Sequence, residues 1–346
     1  MEVVEHLVLG AGPAGLRAAH VLAGAGREVL VLEKNRDVGP KTCAGGLTVK
    51  TMRELEAMGL PRDATLRSVG HVAFAGGRPV ALDAEATVVH TIPRRDLGRF
   101  QLGWARSAGA EVRTGSPVST IDLAARTITV AGHAIRWTHL IGADGADSAV
   151  RRALGLASPR EYFAAEYNVP GLRLEPLRVE CDPAELANGY FWVFPHAHYT
   201  SFGVVAPKHL VAPSVLRRYL DRRLGQLDVR QAGVPFEGAT LEVEYRGCHF
   251  PGGVHLVGDA AGVVSSLTAE GIYAAIVTGE EVARRILEPG APAPKTASWL
   301  RTKRRHDALA RWLARPGPRR YTLGALARLA AQPAVRRPLA NWFLRP

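Results

Sequence analysis

Short apolar runs alternate with glycine-rich or acidic segments near the start of the chain and again towards its end. Residues 6–9 and 28–32 are largely apolar runs of strand length, and residues 13–25 between them have helical spacing. The runs 140–142 and 254–257 predict two further buried strands. This order predicts an α/β fold that begins with a strand–helix–strand unit.

The middle of the chain has a different pattern. Residues 160–250 alternate short apolar runs with Pro and Gly turns, which predicts an antiparallel sheet, and residues 69–92 read as hairpins with a turn at Gly76–Gly77. Helices are predicted at 94–108 and 272–287.

A glycine motif lies between the first strand and the first helix. Gly10, Gly12, Ala14 and Gly15 belong to a G-x-G-x-x-G segment, and the second strand ends on Glu33. Such glycines let the backbone approach a pyrophosphate at the helix N-terminus, and the acid accepts hydrogen bonds from ribose hydroxyls. The strand and helix context favours a dinucleotide site over a glycine turn without a ligand.

Two further glycine motifs follow in a characteristic order. They are residues 142–145, Gly-Ala-Asp-Gly, and residues 258–262, Gly-Asp-Ala-Ala-Gly. With the first motif, they resemble the FAD-dependent oxidoreductases of the para-hydroxybenzoate hydroxylase fold. The resemblance implies FAD, with Asp259 on its ribityl and pyrophosphate groups and with a helix that starts at Gly271 and Ile272 aimed at the flavin. It also implies FAD contacts from Val118 and from Arg94, a role that the neighbouring Arg95 could take instead.

The segment Lys41-Thr42-Cys43-Ala44-Gly45-Gly46-Leu47 is similar to one in the geranylgeranyl reductase branch of that fold. The resemblance places Cys43, Ala44 and Gly46 alongside the flavin and makes Cys43 a candidate catalytic residue. A packed cysteine in a turn is the alternative.

A second segment also resembles this branch. Tyr190, Trp192, Phe194 and Pro195 match its Tyr-x-Trp-x-Phe-Pro motif, and Gly203 matches the first following glycine, while Val205 replaces the second. The three aromatic residues alternate along one strand and therefore share a face. They line a tunnel for a long apolar substrate, or they are ordinary sheet core.

The resemblance implies an enzyme that reduces double bonds of a geranylgeranyl or other polyprenyl group, on a lipid or related isoprenoid, by hydride transfer from reduced flavin. The alternatives are an FAD-dependent monooxygenase of the same fold and a membrane-docked flavoprotein that passes electrons to quinone. The electron donor is expected to be NAD(P)H or a ferredoxin-like protein. His196 and His198 titrate in the range of a proton donor, but the favoured interpretation of both is solvated loop histidines.

The motifs divide the chain into three parts. Residues 1–65, 93–155 and 250–288 are assigned to a discontinuous Rossmann-type FAD-binding domain with a three-layer ββα sandwich. Residues 66–92 and 156–249 are assigned to an antiparallel-sheet substrate domain. Residues 289–346 form a basic helical C-terminal region after a proline-rich linker.

Composition refines this picture. The sequence contains no run of about 20 apolar residues, which a membrane-spanning helix would need. No leader is expected. Its three cysteines are widely spaced and indicate neither a disulfide framework nor a zinc site. A cytoplasmic protein with no bound metal is therefore expected.

The net charge of +12 is concentrated in the C-terminal region, where thirteen Lys and Arg accompany Asp307 as the sole acid. Interleaved Trp and Leu indicate either amphipathic helices on an anionic membrane, at its cytoplasmic face, or a basic face packed on the body. A nucleic-acid partner is not expected, because no binding motif accompanies the charge.

Overall fold

The computed structural model describes residues 1–74, 80–81, 88–156, 160–315 and 332. Its helices are α1 (Pro13–Gly24), α2 (Val49–Ala57), α3 (Arg94–Ser107), α4 (Ala149–Ala153), α5 (Pro213–Gln226), α6 (Ile272–Leu287) and α7 (Pro294–Leu313). Its strands are β1 (Glu2–Leu9), β2 (Val29–Leu32), β3 (Gly46–Thr48), β4 (Leu66–Val69), β5 (His71–Phe74), β6 (Val80–Ala81), β7 (Val88–Thr91), β8 (Glu111–Arg113), β9 (Val118–Asp122), β10 (Thr127–Val130), β11 (His133–Gly142), β12 (Glu161–Pro170), β13 (Arg178–Cys181), β14 (Tyr190–Pro195), β15 (Tyr199–Pro207), β16 (Glu237–Glu242), β17 (His249–Phe250) and β18 (Val254–Leu256).

In the first sheet the three glycine motifs lie at the carboxyl ends of neighbouring strands. Its strand order is β17-β18-β11-β1-β2-β8, and β10 and β9 extend it beside β11. The strands β18, β11, β1 and β2 run parallel, with Leu9 opposite both Gly142 and Leu32, and Gly142 opposite Leu256. The carboxyl ends of these strands therefore meet where open α/β sheets bind ligands. The α/β fold class and the initial strand–helix–strand unit are confirmed.

Helix α1 packs on β1 and β2 and also contacts α3 and α6. Its apolar positions Leu16, Ala19 and Leu22 are buried in the core beneath the sheet. Burial of this face, rather than intrinsic propensity, accounts for the stability of so short a helix.

A second sheet has the order β16-β12-β15-β14-β13-β5-β6. Its neighbours are antiparallel except for β13 and β5, which run parallel. A third sheet, β3-β7-β4, lies beside α2. The antiparallel sheet predicted for residues 160–250 is confirmed, whereas the domain boundaries stay a prediction. The turn predicted at Gly76–Gly77 lies outside the described residues.

The prediction of strands and turns alone over residues 160–250 was incomplete. Helix α5 covers β12 and β15 and buries Leu216, Tyr219, Leu220 and Leu224. These residues are spaced by three, one and four positions after a proline at the helix start, which is a helical signal that the sequence contains.

Helix α7 shows that the first part of the basic C-terminal region packs on the body of the protein. Trp299 is fully buried and its Nε1 donates to the Val263 carbonyl at 2.8 Å. The buried Lys303 ammonium donates to the carbonyls of Val243 (2.6 Å) and Val264 (2.9 Å) and to Asp307 (2.8 Å). Residues 294–313 thus pack on the body. The remaining basic and apolar positions of the proposed tail helices lie outside the described residues, namely Arg319, Arg320, Leu323, Leu326, Arg328, Leu329, Arg336, Arg337, Trp342, Phe343 and Arg345.

Candidate active site

The first glycine loop forms a cradle that is open on one side. Gly10 has φ +104°, and a Cβ there would lie 2.4 Å from the Ala143 carbonyl oxygen. A Cβ on Gly15 would lie 2.0 Å from the Gly10 oxygen, but one on Gly12 would meet nothing within 4 Å. Gly12 is the N-cap of α1 and provides no side-chain cap, so the first-turn N–H groups are available to an anion. This cradle fits the pyrophosphate of FAD.

Glu33 lies beside the cradle, as its position at the end of β2 implies. Its Oε2 accepts from the Ala11 amide at 2.8 Å and its Oε1 from the Asn35 amide at 2.9 Å. A carboxylate has lone pairs beyond these two bonds, so Glu33 can also accept from ribose hydroxyls. That role stays a prediction.

The middle glycine motif has a structural role in the described contacts. Asp144 Oδ2 accepts from the amides of Ala149 (2.6 Å) and Val150 (3.3 Å) at the start of α4. A Cβ on Gly142 would lie 2.8 Å from both Val150 and Leu256 side chains. The motif therefore lets β11, β18 and α4 pack closely.

A cavity of about 380 Å³ extends from the glycine loops to the second sheet. The residues predicted from sequence that line it are Cys43, Ala44, Gly46, Arg94, Tyr190, Trp192, Phe194, Asp259, Gly271 and Ile272. The structure therefore gathers most of the proposed flavin and substrate residues around one space. Gly10, Gly12, Ala14, Gly15 and Glu33 lie in or next to the cradle rather than in this wall.

Two predicted site residues lie away from the cavity wall. Pro195 is buried and its carbonyl accepts from Thr91 Oγ1 at 2.6 Å. Val118 is partly buried and packs against the core of the first sheet. The structure does not bring either residue into the described cavity lining.

The cofactor end of the cavity is charged. Lys41 Nζ lies 2.6 Å from Asp259 Oδ2, and both residues line the cavity. The Arg94 Nε is a buried donor without a partner in the structure. An orphaned donor and a flexible ammonium suit the negative charges of FAD. Lys41 was part of the quoted motif, but sequence reasoning gave it no role.

The Cys43 loop is joined to the substrate sheet through a buried acid. Cys43 N–H donates to Glu166 Oε1 at 2.9 Å, and Ser201 Oγ donates to Glu166 Oε2 at 2.9 Å. Trp192 Nε1 in turn donates to Ser201 Oγ at 2.9 Å. Burial raises the pKa of Glu166, while the bonds from Cys43 and Ser201 oppose that shift. Sequence reasoning missed Glu166, although an acid within the apolar run of β12 is a usable signal.

The aromatic residues of β14 depend on small neighbours. A Cβ on Gly203 would lie 2.0 Å from Trp192 Cζ2, and one on Gly46 would lie 2.5 Å from Phe194 Cε2. Tyr190 donates its hydroxyl hydrogen bond to the Thr268 carbonyl at 2.8 Å. Val205, in place of the family's second glycine, lines the cavity as part of its apolar wall.

The prediction that His196 is a solvated loop histidine was wrong. It is 1% exposed, stacks on Tyr199 at 4.2 Å between ring centroids, and its Nε2 lies 3.0 Å from the Ala44 carbonyl oxygen. Burial lowers its pKa to about 4, so it is neutral at pH 7. The turn between β14 and β15 folds back over the Cys43 loop, which a local pattern does not reveal. His198 is exposed, as predicted.

The start of α6 borders the cavity beside an ion pair. Glu270 lines the cavity, accepts from Thr48 Oγ1 at 2.8 Å and lies 2.9 Å from Lys50 Nζ. The Lys50 ammonium also lies over the rings of Tyr273 (4.9 Å) and Trp299 (4.4 Å). These contacts hold the loop before Ile272 and leave the helix N-terminus, with its partial positive charge, facing the cavity.

The chain is similar to known proteins. The FAD binding domain family matches residues 3–289 of the chain. Digeranylgeranylglycerophospholipid reductase 1 of Methanopyrus kandleri is 31% identical over 318 residues, which are 85% of this chain and 83% of that protein. The chain belongs to the FAD-binding geranylgeranyl reductase family. It is an FAD-dependent oxidoreductase, as its glycine motifs predict.

Solved structures of a reductase-like protein and of a monooxygenase have folds similar to that of this reductase family member. A geranylgeranyl bacteriochlorophyll reductase-like protein of Thermoplasma acidophilum has a TM-score of 0.79 and 21% identity, and the match covers 100% of this chain and 97% of that one. The p-nitrophenol 4-monooxygenase PnpA of Pseudomonas putida has a TM-score of 0.73 and 19% identity, with full coverage of both chains. At these identities the likeness establishes the fold.

The described residues contain no group of three or more His, Cys, Asp or Glu side chains that could hold a metal ion. Within the same residues, each helix is too short or too polar to cross a bilayer.

Proposed function

We propose that the protein reduces carbon–carbon double bonds of a polyprenyl group carried by a lipid or related isoprenoid. The observation that carries this proposal is a cavity that joins charged FAD-side residues, such as Arg94 and Asp259, to apolar ones such as Leu177 and Leu241. The name of the Methanopyrus relative agrees with this substrate class.

The protein's own residues position the alkene and exclude water from the cavity. An isolated alkene has no polar handle, so it must be held in register with the hydride donor, and water must be excluded. Tyr190, Trp192 and Phe194 provide one wall of such a space, and Val205 and Val264 extend it. Reduced FAD, when bound, would supply a hydride to one alkene carbon and become oxidised, and a proton would complete the other carbon. Cys43, whose backbone Glu166 holds, is our candidate for the catalytic side chain at the flavin end.

An anaerobic reoxidation experiment tests the proposal. The FAD protein is reduced chemically, a geranylgeranylated lipid is added, and the oxidised-flavin absorbance is followed. We expect the absorbance to return and the product to gain two hydrogens per reduced bond by mass. Cys43→Ser and Trp192→Leu should slow this step, while Cys248→Ala, a change at a buried cysteine outside the described cavity lining, should not.

The opposite result favours the monooxygenase. If the absorbance returns only when air is admitted, and an aromatic substrate then gains oxygen, prenyl reduction is refuted.

For the reducing equivalents we propose NAD(P)H bound transiently at the flavin or a ferredoxin-like protein, because the chain has a single dinucleotide fingerprint.

We also propose that α7 contacts an anionic membrane surface. Its outer side carries the exposed residues Arg301, Arg304, Arg305 and Arg311, Arg315 follows just after its end, and Trp312 is 38% exposed among them. Residues 301 and 304 are three positions apart, 301 and 305 four, and 304 and 311 seven, so these arginines lie along one side of the helix and form one stripe. Arginine beside tryptophan is suited to the interface of an anionic bilayer. On the inner side Leu309 and Leu313 line the cavity, so this helix would bring a lipid substrate near its binding site.

A further inference from the structure

The apolar end of the cavity contains a polar side chain that is only half satisfied. Asn188 lines the cavity and is 6% exposed. Its Nδ2 donates to the Tyr162 hydroxyl at 2.6 Å, and its Oδ1 is buried without a partner. A buried polar group without a hydrogen bond is unfavourable and is usually matched by a ligand or an ordered water.

Either orientation of the amide leaves one of its ends without a partner. The nitrogen and oxygen of an asparagine are assigned from their hydrogen bonds, and the Tyr162 hydroxyl can accept from the nitrogen or donate to the oxygen. Burial raises the pKa of Tyr162 to about 12, so the hydroxyl keeps its proton. One end of the amide therefore always remains for a group in the cavity.

The cavity lining favours an uncharged partner for Asn188. Besides Asn188, it includes the apolar side chains of Ala164, Leu177, Val205, Leu241, Leu309 and Leu313. Of the described residues in the lining, the cationic ones are Lys41 and Arg94, which belong to the FAD-side loops, and Lys41 is paired with Asp259. A diphosphate at Asn188 would lack a counter-charge in a poorly solvated space. An uncharged oxygen would need only one hydrogen bond.

We propose that Asn188, supported from behind by Tyr162, binds an uncharged oxygen of the polyprenyl substrate. This oxygen is the hydroxyl of a prenyl alcohol, which can donate to Oδ1, or the ether oxygen of a prenylated glycerol, which accepts from Nδ2 when the amide is turned so that the Tyr162 hydroxyl donates to Oδ1. Asn188 thereby selects oxygen-bearing prenyl chains over bare hydrocarbons and fixes the position of the chain along the cavity. The inference rests on the proposed function, because it names the substrate class of that same cavity.

Two variants and a matched control address the site. Asn188→Leu replaces the amide by an apolar side chain of similar size, and Tyr162→Phe removes the supporting hydroxyl. Tyr167→Phe is the control, because Tyr167 lies on the same strand β12 but bonds Asp221 at 2.9 Å in a cluster away from the cavity. The flavin spectrum and the melting temperature of each holoenzyme report whether it is folded.

Binding is measured without turnover. The oxidised holoenzyme is titrated with geranylgeraniol, with geranylgeranyl glycerol ether and with the matching oxygen-free hydrocarbon, and tryptophan fluorescence is followed because Trp192 lines the cavity. We expect the wild type to bind an oxygenated probe about tenfold more tightly than the hydrocarbon. Asn188→Leu should abolish this preference, Tyr162→Phe should weaken it, and Tyr167→Phe should retain it. The probe whose affinity depends on Asn188 identifies the source of the oxygen.

Other outcomes separate this inference from the proposed function. If the wild type shows no preference, or if Asn188→Leu keeps it, the amide binds only a water and the inference is overturned. Reduction of the prenyl probes in that case would leave the proposed function standing. A preference that depends on Asn188 without any reduction would support the inference as a binding site and refute the function.

Discussion

Single residues in this protein act mainly by leaving room for, or by holding, a neighbour from a distant segment. Glu166 joins the Cys43 loop to the aromatic strand through Ser201, and it is 1% exposed. Gly203 does the opposite and leaves space for the Trp192 ring. Both effects place the aromatic wall relative to the loop that is expected to border the flavin.

Gly203→Ala should displace Trp192. The added Cβ would lie 2.0 Å from Trp192 Cζ2 and 2.6 Å from the Ala165 oxygen, which the strand cannot accommodate without movement. We expect a loss of about 1–3 kcal/mol in the free energy of unfolding, measured by chemical denaturation. Gly225→Ala in α5 is the control, since its Cβ would meet nothing within 4 Å, and it should be neutral or stabilising by up to ~1 kcal/mol. Equal effects of the two changes would contradict the steric argument.

At the scale of elements, α7 combines an inner and an outer role. Lys303 and Trp299 hold the backbone at Val263 and Val264, just before the loop that leads into α6. The arginine stripe faces outward on the same helix. A contact on the outside of α7 is therefore one helix diameter from the wall of the cavity.

Reversal of the stripe should weaken binding to anionic vesicles. Each basic residue near such a surface contributes about 1 kcal/mol, so Arg301→Glu, Arg304→Glu and Arg305→Glu together should reduce binding more than tenfold. Sedimentation with phosphatidylglycerol vesicles, compared with phosphatidylcholine, measures the effect.

The control triple variant changes Arg53, Arg218 and Arg230 to glutamate. These residues are exposed elsewhere on the protein, and the variant has the same change in net charge. If both triple variants bind alike, the stripe has no specific role, and the net charge alone determines binding.

At the scale of the whole molecule, four histidines cross the first sheet from β1 to β17. The rings of His6 and His139 stack at 5.3 Å, His139 Nδ1 lies 3.4 Å from His255 Nε2, and His249 Nδ1 lies 3.0 Å from His255 Nδ1. Burial, followed by the neighbouring histidines, lowers the pKa of His255 to about 3. Burial also lowers the pKa values of His139 and His249.

These shifts make stability depend on pH. Below the ordinary histidine pKa of about 6.5, the unfolded chain binds protons that the folded protein rejects, so acid favours unfolding. Stability from this cluster is complete above about pH 6.5 and decreases towards the folded pKa of His255, about 3. We expect His255→Gln to reduce the loss between pH 6.5 and 5 by up to ~1.4 kcal/mol per pH unit. Urea unfolding across this range measures it, with the exposed His209→Gln as a control that should follow the wild type. A wild-type pH slope in His255→Gln would contradict the assignment.

Much of the cofactor half could be predicted because its signals are local. The glycine cradle, Glu33 at the end of β2 and Ile272 at the start of α6 each follow from a few consecutive residues, and the structure places them as expected. The substrate half was harder. Glu166 and the buried His196 obtain their roles from partners that are 35 or more residues away along the chain. Asn188 obtains its role from Tyr162, which is 26 residues away.

By itself the sequence determined the α/β class, the strand–helix–strand unit, the FAD motifs and the aromatic strand β14. Periodicity, turn sterics and the phosphate-binding geometry of a helix N-terminus act over short stretches of chain and are legible there. Only the tertiary structure decided that α7 packs on the body, that His196 is neutral and buried, and that one end of the Asn188 amide has no partner in the cavity wall. Burial and hydrogen-bond partnership depend on which distant segments meet, and those properties set the pKa values and the polarity of the site.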